Sequence, residues 1–276
     1  MREIRTADLD AIAAQIAGAI AGGRAPSPVE ARFLLREYIA TGRDDVRDAL
    51  GLALAHALAD AGRGADDTAN DGMRIADRAA SLMLFVEAVA IADDERVIAA
   101  AGDLAGALRA AWPIDLARAG LAAAARSVDA CLHASALFAS AGIVQPAIDE
   151  LERIVGATYR PGEGLGAAPS AAYACAASAL LTAFEITGRL PYSMLAEELM
   201  ASPHRSDDCE TARVLCRLAA LHDNEEYRAA AILAPGADYR ADAARILEDY
   251  APHVRAAEAA DAALYGIALR ELISLR

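Results

Sequence analysis

LLREYIATGR, running from Leu34 to Arg43, returns as LLTAFEITGR from Leu180 to Arg189. In both, two leucines are followed three positions later by an aromatic residue (Tyr38, Phe184), then by Thr-Gly-Arg. Leucines and a ring at that spacing fall on neighbouring positions of a helix surface, where they pack between layers. A glycine directly after such a run is the residue that takes the left-handed conformation ending a helix. The phrase therefore marks where a buried helix stops and the chain turns back.

The rest of the chain repeats that grammar. Breaks fall at Gly42, Asp93-Asp94, Gly142, Gly188 and Asp223-Asn224. Before each lies a helix apolar nearly all round: ARFLLREYIA, SLMLFVEAVA, ACLHASALFA, ACAASALLTAFEI and ARVLCRLAAL. After them come helices with one apolar stripe and one charged face, such as VRDALGLALAHALADA and YSMLAEELMA. A buried helix joined to a half-exposed one by a tight turn is an αα-hairpin, and a period of about 50 residues means that hairpins hide their inner helices against one another. Asp10–Gly22 and Ala257–Leu275 supply one further pair across the termini, giving six hairpins, enough for a closed ring. Ser27-Pro28 with Glu30 reads as a capping box, and Ser127 and Asp207 read as further N-caps. The expected architecture is all-α, an (α/α) toroid spanning residues 1–276 as one domain.

Composition agrees. The chain is 56% hydrophobic, mostly Ala and Leu, with one tryptophan. Its net charge is −14, and all 26 basic residues are arginine. Such acidity argues against nucleic acid, whose binding depends on basic patches releasing counterions. Without lysine there is no Schiff-base chemistry and no phosphate-loop lysine. The start, MREIRTADLD, does not read as a signal peptide. The longest uncharged window, Gly164 to Phe184, is too rich in Gly, Ala and Ser to sit in lipid. Four cysteines without paired spacing suit a reducing cytoplasm. Expectations are thus a cytoplasmic protein with no membrane span, no cofactor and no bound metal.

The segments ARFLLREYIATGRDDVRDALGLALAHALADA, SLMLFVEAVAIADDERVIAAAGDLAGALRAAW, LLTAFEITGRLPYSMLAEELMA and ARVLCRLAALHDNEEY resemble the (α/α)6 toroids, which include N-acylglucosamine 2-epimerases and six-hairpin glycosidases. More narrowly, they resemble the helical part of the family joining a thioredoxin-like domain to an epimerase-like toroid. The thioredoxin domain and its C-x-x-C are absent here. Where that family begins its second inner helix with His-Phe-Glu-Lys, this chain reads Ile75-Ala76-Asp77-Arg78, so no functional residue carries over.

In a ring of hairpins the inner helices run parallel, and their N-termini gather at one mouth whose dipoles suit polar or anionic ligands. The residues expected there are Asp77 and Arg78, then Asp129, Cys131 and His133, then Tyr173 and Cys175, then Asp207, Asp208, Cys209 and Glu210. Asp129 with Asp208 or Glu210 would form the acid–base pair of sugar hydrolysis. His133 would be the base for epimerisation. Asp77, Arg78 and Tyr173 would bind ligand. The competing assignment makes Asp129, Asp207 and Asp208 helix caps. Cys131, Cys175 and Cys209 with His133 raise zinc, but residues two apart on a helix diverge, and a cysteine in an Ala-rich interior is usually a small apolar filler. The stretch Gly62–Gly72, with Asp66, Asp67, Asn70 and Asp71, lacks the alternation of a calcium loop. Trp112, before Pro113, is expected to face outward. With aromatics scarce, the balance tilts toward a non-catalytic toroid serving as scaffold or binding module for a protein partner. The alternative is a carbohydrate-active enzyme, a glycoside hydrolase or sugar epimerase, taking a sugar or small polar ligand at the inner-helix mouth. A filled axis of Ala, Leu and Cys would mark the scaffold, and a polar pocket with convergent carboxylates the enzyme.

Overall fold

The computed structural model describes residues 6–63, 72–138, 142–231 and 236–275. In chain order the helices are α1 (Thr6–Ala21), α2 (Pro28–Thr41), α3 (Asp44–Arg63), α4 (Gly72–Val89), α5 (Glu95–Ala110), α6 (Leu116–Ala119) and α7 (Leu121–Ala134). There follow α8 (Val144–Thr158), α9 (Ala171–Thr187), α10 (Leu190–Ala201), α11 (Cys209–Asp223), α12 (Glu225–Ala230), α13 (Tyr239–Tyr250), a 3-10 turn Ala251–Ala256, and α14 (Ala259–Ser274).

The repeated phrase ends helices in the same way twice. Gly42 and Gly188 take φ of 65° and 68°, and their N–H groups donate to the Tyr38 carbonyl (2.8 Å) and the Phe184 carbonyl (2.7 Å). Thr41 Oγ1 donates back to the Glu37 carbonyl and Thr187 Oγ1 to that of Ala183, both at 2.7 Å. Each threonine then accepts from the next arginine's N–H, at 3.4 and 3.3 Å. The threonine occupies a loose carbonyl, the glycine supplies the reversal, and Leu34, Leu35, Leu180 and Leu181 vanish into the core.

Six inner helices close a ring: α2 packs on α4, α4 on α7, α7 on α9, α9 on α11, α11 on α14, and α14 on α2. Behind them stand α3, α5, α8, α10, α13 and α1, each against its own hairpin partner. The sixth hairpin is the one formed across the termini, with α1 lying on α14. The fold is an (α/α)6 toroid.

The capping box at Ser27 and Glu30 is present. Two other expected caps move. The run Leu121–Arg126 is nearly all alanine, the best helix former, so α7 starts before Ser127. Ser127 is therefore fully buried in mid-helix and accepts from Trp112 Nε1 at 3.1 Å. That bond also draws Trp112 inward, against the core rather than outward. At α11 the cap is Asp208, not Asp207; its carboxylate accepts from the Thr211 N–H at 2.8 Å. Gly142 lies beyond the end of α7 and just ahead of α8 rather than stopping an inner helix. The acidic stretch between Gly62 and Gly72 falls at 64–71, outside the described residues.

The seam between α2 and α14 joins the two ends of the chain. Gly266 makes it possible: a Cβ there would lie 2.3 Å from Cε2 of Phe33, a ring that is itself fully buried. Beside it Arg270 donates to both carboxylate oxygens of Glu37 (3.0 and 2.5 Å), and Glu37 is 1% exposed. Gly266→Ala is expected to lower the unfolding free energy by about 1–3 kcal/mol through overpacking. Arg270→Met, which strands the Glu37 carboxylate, should cost about 3 kcal/mol, with most of it returned by adding Glu37→Leu. Urea midpoints of the three variants check both numbers.

Candidate functional site

The axis is not filled. It holds a cavity of about 340 Å³ to which all six inner helices contribute. Ala76, Ala79, Ala80, Ala130 and Leu264 line it without filling it, while Cys131 and Cys175 are buried away from it. The cavity wall is charged: Arg32, Arg36, Arg126, Arg213 and Arg217 face Asp77, Glu87, Asp129, Glu210 and Glu271. Several helices present them at helical intervals, as with Arg126, Asp129 and His133 on α7, or Glu210, Arg213 and Arg217 on α11.

Most of these charges are joined in a belt. Glu87 accepts from Arg32 (2.6 Å) and from Arg36 (2.8 and 3.2 Å). Arg36 also donates to Glu271, which accepts from Arg213 at 3.2–3.3 Å, and Arg213 donates to Glu210 at 3.0 Å. This chain of bonds steps from α4 to α2, α14 and α11. A second group continues to α9 and α7. Asp129 accepts from Ser178 Oγ (2.7 Å) and Thr182 Oγ1 (2.6 Å), while Arg217 donates to Ser178, Thr182 and Glu185. His133 Nε2 lies 3.5 Å from Asp129 Oδ1 and 3.3 Å from Thr182 Oγ1.

These surroundings set the protonation states. Burial alone would push Asp129 up, but His133 whenever it carries a proton, Arg217 and the two hydroxyls outweigh it and hold the carboxyl below its usual range. Glu87 and Glu271 are likewise buried and likewise held down, by Arg32 and Arg36 and by Arg213 and Arg36. His133 moves down chiefly through desolvation, with Arg217 and Arg32 adding repulsion and Asp129 and Glu185 opposing it. The site therefore combines ionised carboxylates with a neutral imidazole.

Of the residues expected at the site, Asp77, Asp129, His133 and Glu210 line this cavity. Asp208 does not; its oxygens are taken by Thr211 N–H and by Ser206 Oγ at 2.6 Å. Asp207 pairs with Arg245 outside the ring. Arg78 opens into a groove between α3, α4 and α5. Tyr173 is fully buried because its hydroxyl accepts from the Leu165 N–H (3.1 Å) and pins the Arg160–Gly164 turn, so it offers no stacking face. Burial pushes the Cys131, Cys175 and Cys209 thiols up to about 12. Among the described residues no His, Cys, Asp and Glu cluster could hold a metal ion, and no helix is long and apolar enough to cross a membrane. Arg32, Arg36, Glu87, Arg126, Arg213, Arg217 and Glu271 went unread in the sequence. Their signal was there: charges spaced by three, four or seven inside helices otherwise apolar.

No protein-family model and no curated protein sequence matches this chain. Its structure is similar to that of the GH76A alpha-1,6-mannanase from Salegentibacter sp. HEL1_6, with a TM-score of 0.64 over 90% of this chain and 88% of that one. The two are 11% identical, so the likeness is one of fold, the (α/α)6 toroid of glycosidases.

The site's titration gives a two-step acid response. A histidine held below its ordinary value of about 6.5 leaves the unfolded chain binding a proton that the fold does not, so stability falls as pH drops below about 6.5. The depressed carboxylates Glu87, Asp129 and Glu271 stabilise fully above about pH 4.3 and lose that contribution only as pH falls further. In His133→Gln the upper step should vanish and the lower one remain, read from thermal midpoints between pH 8 and 4.

Proposed function

We propose that this chain is a carbohydrate-active toroid that takes a ligand of monosaccharide size in the axial cavity. The observation that carries this reading is the open, charged axis, where a scaffold would be packed shut. Its volume of about 340 Å³ is at the small end of ordinary ligand sites, which run from ~300 to ~1,000 Å³. Sugars are bound through hydroxyls, and the wall offers both acceptors (Asp129, Glu210) and a guanidinium donor (Arg217). The fold shared with a mannanase supports the sugar class.

Within that class, proton transfer suits the residues better than glycoside hydrolysis. Hydrolysis requires one carboxylic acid kept protonated beside one carboxylate. Asp129, Glu87 and Glu271 are all held in the ionised state instead. His133, uncharged and next to Asp129, is the group suited to accept a proton from a sugar carbon, with Asp129 stabilising the imidazolium that results.

Thermal unfolding against a panel of mono- and disaccharides tests binding; a ligand at about 100 times its dissociation constant adds ~2.7 kcal/mol. A midpoint rise that disappears in Asp129→Asn is the expected result, and a panel without any rise would sink the reading. Chemistry is tested separately by incubating the bound sugar in heavy water. Deuterium should enter at a carbon next to the carbonyl, and His133→Gln should slow it about 100-fold or more while binding persists.

A further inference from the structure

Four of the arginines on the cavity wall, Arg32, Arg36, Arg213 and Arg217, have a carboxylate partner. Arg126 has none: among the described residues no carboxylate comes within ion-pair distance of it. Its surroundings explain why the gap is not filled. The nearest negative groups in electrostatic reach are Glu210 and Asp208. Glu210 is already held by Arg213, and Asp208 is spent on the cap of α11. Its side chain also meets the Cys175 thiol, which burial keeps protonated and therefore uncharged.

Nor is Arg126 an ordinary solvated surface arginine. It stands three and seven residues before Asp129 and His133, on the axial face of α7, and it is exposed into the cavity that they line. The chain as a whole has 40 acidic residues for its 26 arginines, so an arginine left without a carboxylate is against the local odds. A second arginine of the wall, on α2, also has a polar atom without a partner. Arg32 is 6% exposed, yet its Nε has no hydrogen-bond partner. A buried donor left unmade is costly, so Arg32 gains from any shift that lets its Nε meet an acceptor.

We propose that the ligand is an anionic sugar, its carboxylate or phosphate taken by the Arg126 guanidinium and its ring hydroxyls by the Asp129 carboxylate. This rests on the reading of the axial cavity as a sugar site. A planar guanidinium meets either anion through two parallel N–H···O bonds, which is why the charged group and not the ring alone would set the preference. The belt of paired arginines has no charge to spare; Arg126 does.

The test is binding to the full chain, by calorimetry or thermal shift, of glucuronate, galacturonate and glucose 6-phosphate against glucose and galactose. The charged sugars should bind at least 10-fold more tightly than their neutral counterparts, and the advantage should shrink in raised salt. Arg126→Gln should abolish that advantage while leaving the weaker binding of neutral sugars in place, and Arg126→Lys should restore part of it. Because Arg126 makes no ion pair, Arg126→Gln should also keep the wild-type melting temperature without ligand. Preference for uronate or for phosphate each supports the proposal and identifies the group. Equal binding of neutral and charged sugars overturns it but leaves the sugar site standing. Inorganic phosphate alone binding as well as the sugar phosphate also overturns it. If nothing in the panel binds, the sugar site itself falls.

Discussion

Closure of the ring between α14 and α2 is the constraint on which the remaining structure depends. Each other seam joins helices of neighbouring hairpins, and short connections bring them together at little entropic cost. The last seam must bring residues 233 to 235 positions apart into contact. It does so with a glycine that lets Phe33 against the backbone of α14, a buried Glu37–Arg270 pair, and the Arg36–Glu271 pair on the axial side. Hydrophobic burial would hold two helices together in many registers. The two charge pairs and the single glycine accept one register only, which fixes how far each inner helix slides and hence what faces the axis.

A closed ring of six helices leaves a hole at its centre, and this chain is built mostly of residues too short to fill it. Alanine at Ala172, Ala176, Ala179 and Ala183 of α9 allows close approach of neighbouring helices, which is why these positions are fully buried. On the axial face the same small side chains would leave a void. Long arginine and glutamate side chains reach in from the wall among them, most of them answered by an opposite charge. Such pairs pay heavily for desolvation and add little net stability over an apolar filling. What they give is a rigid, pre-oriented lining, with donors and acceptors locked in place before anything binds.

The hairpin count, the stops at Gly42 and Gly188 and the pairing of the termini were legible because helix periodicity and glycine chemistry are local. The site was legible in part. Asp129, His133, Glu210 and Asp77 follow from placing inner-helix residues near one mouth of the ring, a measure of height along the axis. Height says nothing about direction, so Tyr173, Asp208 and Arg78, which have the right height and point elsewhere, came with them. The arginines of the belt were missed for the complementary reason. ARFLLREYIA and ARVLCRLAAL read as apolar all round only if their charges are averaged away, Arg32 and Arg36 in the first and Arg213 and Arg217 in the second, each pair four apart. Those charges on otherwise buried helices are the sign that one narrow face looks onto something polar.

The same belt decides what the axis can do chemically. An arginine that closes on a carboxylate removes it from service as an acid, because the proton it would need to carry is outcompeted by a permanent charge. Glu87 and Glu271 are committed in this way, each to two arginines. Asp129 is held more loosely, by two hydroxyls, with Arg217 reaching it through those hydroxyls rather than by a direct pair. It keeps its charge but leaves the neighbouring imidazole free to gain and lose a proton. Within this belt Asp129 is the carboxylate that no arginine touches directly, and with His133 it lies on the same helix face as Arg126.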